Sequence, residues 1–119
     1  MMHRIIVAGS RTFNDYKALK RVLDHYIVGV NEAVTIISGG ARGADALAER
    51  YAWERCIPFE CYPANWKKYG LAAGPIRNEQ MAANGDALIA FWDGKSRGTK
   101  HMIETATRRG LAVLVVYYK

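Results

Sequence analysis

The sequence predicts an α/β fold of the Rossmann-like kind, a three-layer sandwich with a mostly parallel sheet of about five strands and helices on both faces. Three observations predict it. Short apolar runs rich in β-branched residues alternate with stretches of helical periodicity. Several of these runs lead into loops that contain glycine and open a helix. The 119 residues are half apolar, so one domain, 1–119, can form a core without disulfides or a structural metal.

The first part of the chain alternates strand and helix in this way. Residues 5–8 form a β-branched run typical of a strand buried on both faces. Asn14 is predicted to cap a helix that ends near Gly29, because Asn accepts hydrogen bonds from the first amides of a helix. Residues 34–37 predict a second strand, and residues 44–55 predict a second helix.

The rest of the chain continues the alternation. Further strands are predicted at 58–62, 87–91 and 112–117. A long polar and aromatic loop is expected at 63–74, and Pro75 suits the first turn of the following helix. A second loop is expected at 92–98, before a last helix at about 99–109 that stops at Gly110.

Composition limits the classes of partner. Seventeen basic against eleven acidic residues give a formal charge of +6, which favours anionic partners. Cys56 and Cys61 lack the spacing of zinc ligands, so we predict reduced, partly buried thiols, no metal site and no cofactor. No apolar stretch has the length of a membrane span or signal sequence, so we expect a cytoplasmic protein without membrane contact.

The most informative segment is the glycine loop at 38–45, which joins the second strand to the second helix. Unpaired backbone amides at a helix N-terminus favour binding of an anion, and the arginine guanidinium can form bidentate hydrogen bonds to a phosphate. The loop matches neither the dinucleotide fingerprint nor the P-loop. Its predicted ligand-binding residues are Ser38, Gly39, Gly40, Arg42, Gly43 and Asp45. For Asp45, simple capping of the helix is an equally good interpretation.

Three other loops are expected at the same edge, because the carboxyl ends of parallel strands meet where a Rossmann-like sheet binds its ligands. Their residue types suit phosphate, sugar or base contacts. The predicted ligand-binding residues are Gly9, Ser10 and Arg11 after the first strand, Arg77 and Asn78 at the start of the helix that contains Pro75, and Lys95, Ser96, Gly98 and Thr99 after the fourth strand. Whether Lys95 or Arg97 faces the ligand stays open.

Two acids are the candidates for catalysis. Asp93 can accept a ribose hydroxyl or act as a base, and Glu104 lies three residues after His101 on a predicted helix. A surface position for the latter pair is the alternative. Trp66 and Tyr69 can stack on a base or sugar, or can fasten the loop to the domain.

These four loops resemble the YspA-like, cpYpsA-related branch of the SLOG superfamily over nearly the whole chain. The resemblance implies a Rossmann-like fold, a nucleotide-derived ligand, and kinship with the LOG phosphoribohydrolases and the DprA/Smf proteins. It implies that Gly39, Gly40 and Gly43 form the phosphate loop. LOG enzymes carry a glutamate three residues after their second glycine-threonine motif, and Met102 occupies that place here.

Three functions are therefore compared. The first is a nucleotide-ligand domain that cleaves an N-glycosidic bond, and the second is a non-catalytic sensor or sequestering module for a signalling nucleotide. The third, single-stranded nucleic-acid binding, is less favoured because the basic residues are scattered over helices. A homodimer is compatible with the sequence, which shows no distinct interface stripe.

Overall fold

The computed structural model describes residues 2–118 and contains a five-stranded parallel sheet in the order β3-β2-β1-β4-β5. The strands are β1 (Met2–Gly9), β2 (Ala33–Ser38), β3 (Phe59–Cys61), β4 (Ala87–Trp92) and β5 (Ala112–Tyr117). The helices are α1 (Tyr16–Val28), α2 (Ala44–Glu54), α3 (Trp66–Tyr69), α4 (Ala73–Asn84) and α5 (Arg97–Arg108), with a 3₁₀ turn at Gly70–Ala72. The predicted fold class is confirmed.

The central strand β1 pairs on both sides, through Ile5 with Ile36 of β2 and with Ala87 of β4. Alternate residues along β1 point to opposite faces, so a strand covered on both faces must be apolar throughout. Ile5 packs beneath α1 and α2, whereas Ile6 packs beneath α4 and α5. The sheet therefore has a core on each face, as the unbroken β-branched runs predicted.

Several boundaries differ from the sequence prediction. Asp15, not Asn14, caps α1, since its Oδ1 accepts a hydrogen bond from the Ala18 amide at 3.1 Å. The segment 63–74 is not an open loop, because it contains α3, the 3₁₀ turn and the start of α4. α5 begins at Arg97, two residues early, because Ser96 serves as its cap. Both cysteines are exposed, where partial burial was expected.

Candidate ligand cleft

A cleft lies outside the carboxyl ends of β1, β2 and β4. It has two adjoining compartments of about 410 and 630 Å³, each within the size range of small-molecule sites. Four residues border both compartments, namely Arg11, Ala41, Trp66 and Arg77. The strand order reverses between β1 and β4, and ligands of open parallel sheets bind at such a reversal. The predicted loops meet here.

The glycine loop forms the floor of the smaller compartment. Gly39, Gly40, Ala41 and Arg42 line it opposite Pro63 and Ala64. Gly40 and Gly43 both have φ of +75°, a conformation that residues with a Cβ rarely adopt. The N-cap of α2 is Gly43, which makes no side-chain hydrogen bond to the first turn, so the partial positive charge of this helix N-terminus is not offset by a capping side chain at that position.

Two buried side chains hold the glycine loop from behind. The Ser38 hydroxyl accepts the Gly40 amide at 3.3 Å, and Asp45 Oδ2 accepts the Ala41 amide at 3.1 Å. Burial raises the pKa of the Asp45 carboxyl, against the lowering effect of the Ala41 amide and the Arg77 guanidinium. Asp45 also borders the larger compartment. Its position is therefore compatible with both interpretations, a structural role in the first turn of α2 and contact with a ligand.

Arg77 fastens α4 to the glycine loop. Its guanidinium donates to the Gly39 carbonyl at 2.8 Å, and its Nε donates to Asn78 Oδ1 at 3.1 Å. A Cβ on Gly39 would collide with this guanidinium, so a larger residue at that position would have to displace the end of the Arg77 side chain. Burial lowers the pKa of Arg77 from its usual value. Arg77 thus shapes the wall shared by both compartments with much of its hydrogen-bonding capacity engaged.

The larger compartment combines an apolar wall with a few polar groups. Its apolar lining comes from Ala8, Trp66, Leu71, Pro75, Met81 and Met102. The polar side of the wall is held by the buried Asn78 amide, whose Nδ2 lies 3.3 Å from the Gly98 carbonyl and 3.1 Å from His101 Nδ1. Since Asn78 Oδ1 accepts from Arg77, Nδ2 is the donor, and His101 Nδ1 is the acceptor.

The start of α5 completes the larger compartment through Ser96, Arg97, Gly98 and Thr99. Ser96 Oγ caps the helix by accepting the Thr99 amide at 3.4 Å. Arg97 lines the compartment, whereas Lys95 is exposed and is not among the lining residues. This answers which of the two cations faces the cleft.

Neither candidate catalytic acid lies among the residues that line the cleft. Asp93 Oδ1 accepts the amides of Lys95 and Ser96, both at 2.8 Å, and these bonds lower the pKa of its carboxyl. Glu104 is exposed on α5. Met102, in contrast, is 1% exposed and lines the larger compartment. An apolar thioether therefore occupies this part of the wall, at the position where the resemblance to the LOG enzymes implies a glutamate.

The remaining predicted residues surround the cleft at different depths. Gly9 and Arg11 line it, whereas Ser10 is buried beside it, with Oγ 3.5 Å from the Asp93 amide. Gly43, within the glycine loop, faces the Ser10 carbonyl and does not line the cleft. Trp66 and His101 also line the cleft, although the sequence reasoning had left both with a structural alternative. Each lies in the first turns of a helix at this edge of the sheet, Trp66 in α3 and His101 in α5.

The charge of the cleft is strongly positive. Four arginines border it, Arg11, Arg42, Arg77 and Arg97, against one carboxylate, Asp45. Such walls concentrate anions by focusing the field in a region with little water. The electrostatics and the helix N-termini therefore favour the same kind of ligand, an anion with an apolar part.

Comparison with known proteins agrees with this geometry. The sequence pattern of the YspA, cpYpsA-related SLOG family (YAcAr) matches residues 3–69, more than half of the chain. The chain belongs to this SLOG family. The matched residues include β1, α1, β2, the glycine loop and α2, so the SLOG pattern covers one side of the cleft.

Two relatives extend the SLOG comparison. The Gene 61 protein of Mycobacterium phage D29 is 33% identical over 119 residues, covering 95% of each chain. The X-ray structure of DNA processing protein A (DprA) from Streptococcus pneumoniae superposes with a TM-score of 0.77 at 19% identity and covers 99% of this chain. This chain spans about half, 51%, of the DprA chain, and the likeness confirms the Rossmann-like SLOG fold.

Two features are absent from residues 2–118, a metal-binding cluster and a membrane-spanning helix. No group of three or more His, Cys, Asp or Glu side chains in this range is arranged to hold a metal ion. None of the helices in the same range is both long and apolar enough to cross a membrane.

Proposed function

We propose that the cleft binds a nucleotide or a nucleotide-derived phosphate ligand. The phosphate lies in the smaller compartment, against the N-terminus of α2 and between Arg11 and Arg42. The nucleoside part extends into the larger compartment along Met81 and Met102. The observation that supports this arrangement is the contrast between the two adjoining compartments, one bordered by a glycine loop and arginines, the other largely apolar.

Binding without chemistry is the version that the geometry favours. Asp93 uses its carboxylate on two backbone amides, Glu104 is exposed, and Met102 lines the wall. The non-catalytic sensor or sequestering module therefore ranks first. Hydrolysis of an N-glycosidic bond is the second candidate, since the buried Asp45 carboxyl, with its raised pKa, borders the larger compartment and is suited to donate a proton.

Calorimetric titration with inorganic pyrophosphate and the four nucleoside 5′-monophosphates tests the proposal. Loss of charged hydrogen bonds predicts that Arg42→Ala weakens binding of both kinds of probe by about 10- to 100-fold. Arg21→Ala is the matched control, because Arg21 is exposed on α1 away from the cleft. Equal effects of the two substitutions, or no binding by the wild type, would reject the proposal.

A further inference from the structure

Trp66 has an unusual position in the fold. It begins the four-residue helix α3, which Asn65 caps by accepting the Lys68 amide at 3.2 Å, and it borders both compartments of the cleft. The Cη2 end of the ring lies against Gly74 at the start of α4, where an added Cβ would stand 3.4 Å from it. The indole therefore lies beside a residue that has no side chain, at the start of the helix that borders the larger compartment.

The rest of the Trp66 ring is available. The side chain is 49% exposed, and within residues 2–118 it forms neither an aromatic pair nor a cation–π contact. Trp92 differs, because its Nε1 donates to the Ser96 carbonyl at 3.0 Å and its ring packs on Tyr117. A large, half-exposed aromatic side chain that borders both compartments offers an open face to a planar partner.

We infer that Trp66 is the stacking platform for the base of the bound nucleotide. This inference rests on the proposed function and adds the residue that recognises the base. With the phosphate beside Arg42, the base extends past Arg77 into the larger compartment, whose lining includes Trp66, Leu71, Met81 and Met102. An indole can stack on any base, so Trp66 gives affinity for the nucleoside with little preference among bases.

The test compares two probes, AMP and inorganic pyrophosphate, by calorimetric titration. Stacking on an aromatic side chain predicts that Trp66→Ala weakens AMP binding by about 5- to 150-fold and leaves pyrophosphate binding unchanged. Trp66→Phe retains a flat ring and should recover most of the affinity for AMP. The control is Trp53→Ala, since Trp53 is 85% exposed on α2 and does not line the cleft.

Three results would overturn the inference. Unchanged AMP affinity in Trp66→Ala would exclude stacking. An equal loss for AMP and pyrophosphate would mean that Trp66 only holds the loop in place. If Trp66→Ala instead loses salt-sensitive binding to oligothymidylate while its AMP binding stays intact, the ring would be assigned to single-stranded nucleic acid. Wild-type protein that binds neither AMP nor pyrophosphate would reject the proposed function itself, which is a distinct outcome.

Discussion

Gly43→Ala should destabilise the protein strongly, because two loops touch at this glycine through their backbones. Gly43 combines φ of 75° with ψ of −128°, and an added Cβ would collide with the carbonyl oxygen of Ser10 and the backbone of Arg11. The strained backbone costs about 1–3 kcal/mol, and the overpacking adds about 1–3 kcal/mol. Together they predict a loss of roughly 2–6 kcal/mol in the free energy of unfolding.

The magnitude can be measured as a melting temperature. The unfolding entropy of a chain this long makes 1 kcal/mol worth about 4 °C, so Gly43→Ala should lower Tm by about 8–24 °C. Gly110→Ala is the matched control, since Gly110 has φ of 79° with nothing within 4 Å of its added Cβ, and it should lose only the left-handed backbone strain of about 1–2 kcal/mol. Equal shifts of Tm in the two variants, followed by circular dichroism, would refute the close contact between the loops.

Two further predictions concern acidic side chains, Asp45 at the cleft and Glu104 outside it. Burial gives Asp45 a higher pKa in the folded protein than in the unfolded chain. As the pH rises above the pKa of the unfolded chain, ionisation of this carboxyl therefore increasingly favours the unfolded state. The stability of Asp45→Asn relative to wild type, measured in urea from about pH 4 to about pH 7, should therefore increase with pH; a constant or decreasing difference would contradict the raised pKa. Wild type and Glu104→Gln should both release no free base from nucleoside monophosphates in a chromatographic assay, because Glu104 is exposed and does not line the cleft. Base release by the wild type that Glu104→Gln abolishes would instead establish Glu104 as catalytic.

The strands and long helices could be predicted from sequence because burial imposes a pattern on them. Strand β1 shows this well, since a strand covered on both faces needs apolar residues throughout, and Ile5 and Ile6 do face opposite cores. The start of α1 was less certain, because Asn14 and Asp15 are chemically equivalent caps. The three-dimensional structure decides between them, because the Ala18 amide donates to the carboxylate oxygen of Asp15.

The convergence of the loops was predictable, but the role of each side chain was not. A strand followed by glycine and a helix predicts an anion site by itself. Whether Arg77 meets a ligand or the Gly39 carbonyl depends on how α4 docks against the glycine loop, which lies 38 residues away. The sequence did not predict the short helix α3, because its four residues make barely one turn and cannot show a 3.6-residue periodicity.

The central position of β1 has a consequence for how the protein folds. Its pairing with β2 joins residues about thirty apart, whereas Ile5 meets Ala87 across most of the chain, so this second pairing closes a far longer loop. We expect β4 to dock late. The cleft lies on that seam, with the glycine loop on the early side and α5 on the late side. A ligand bound there would hold the two parts together and should slow unfolding chiefly by resisting the separation of β1 from β4.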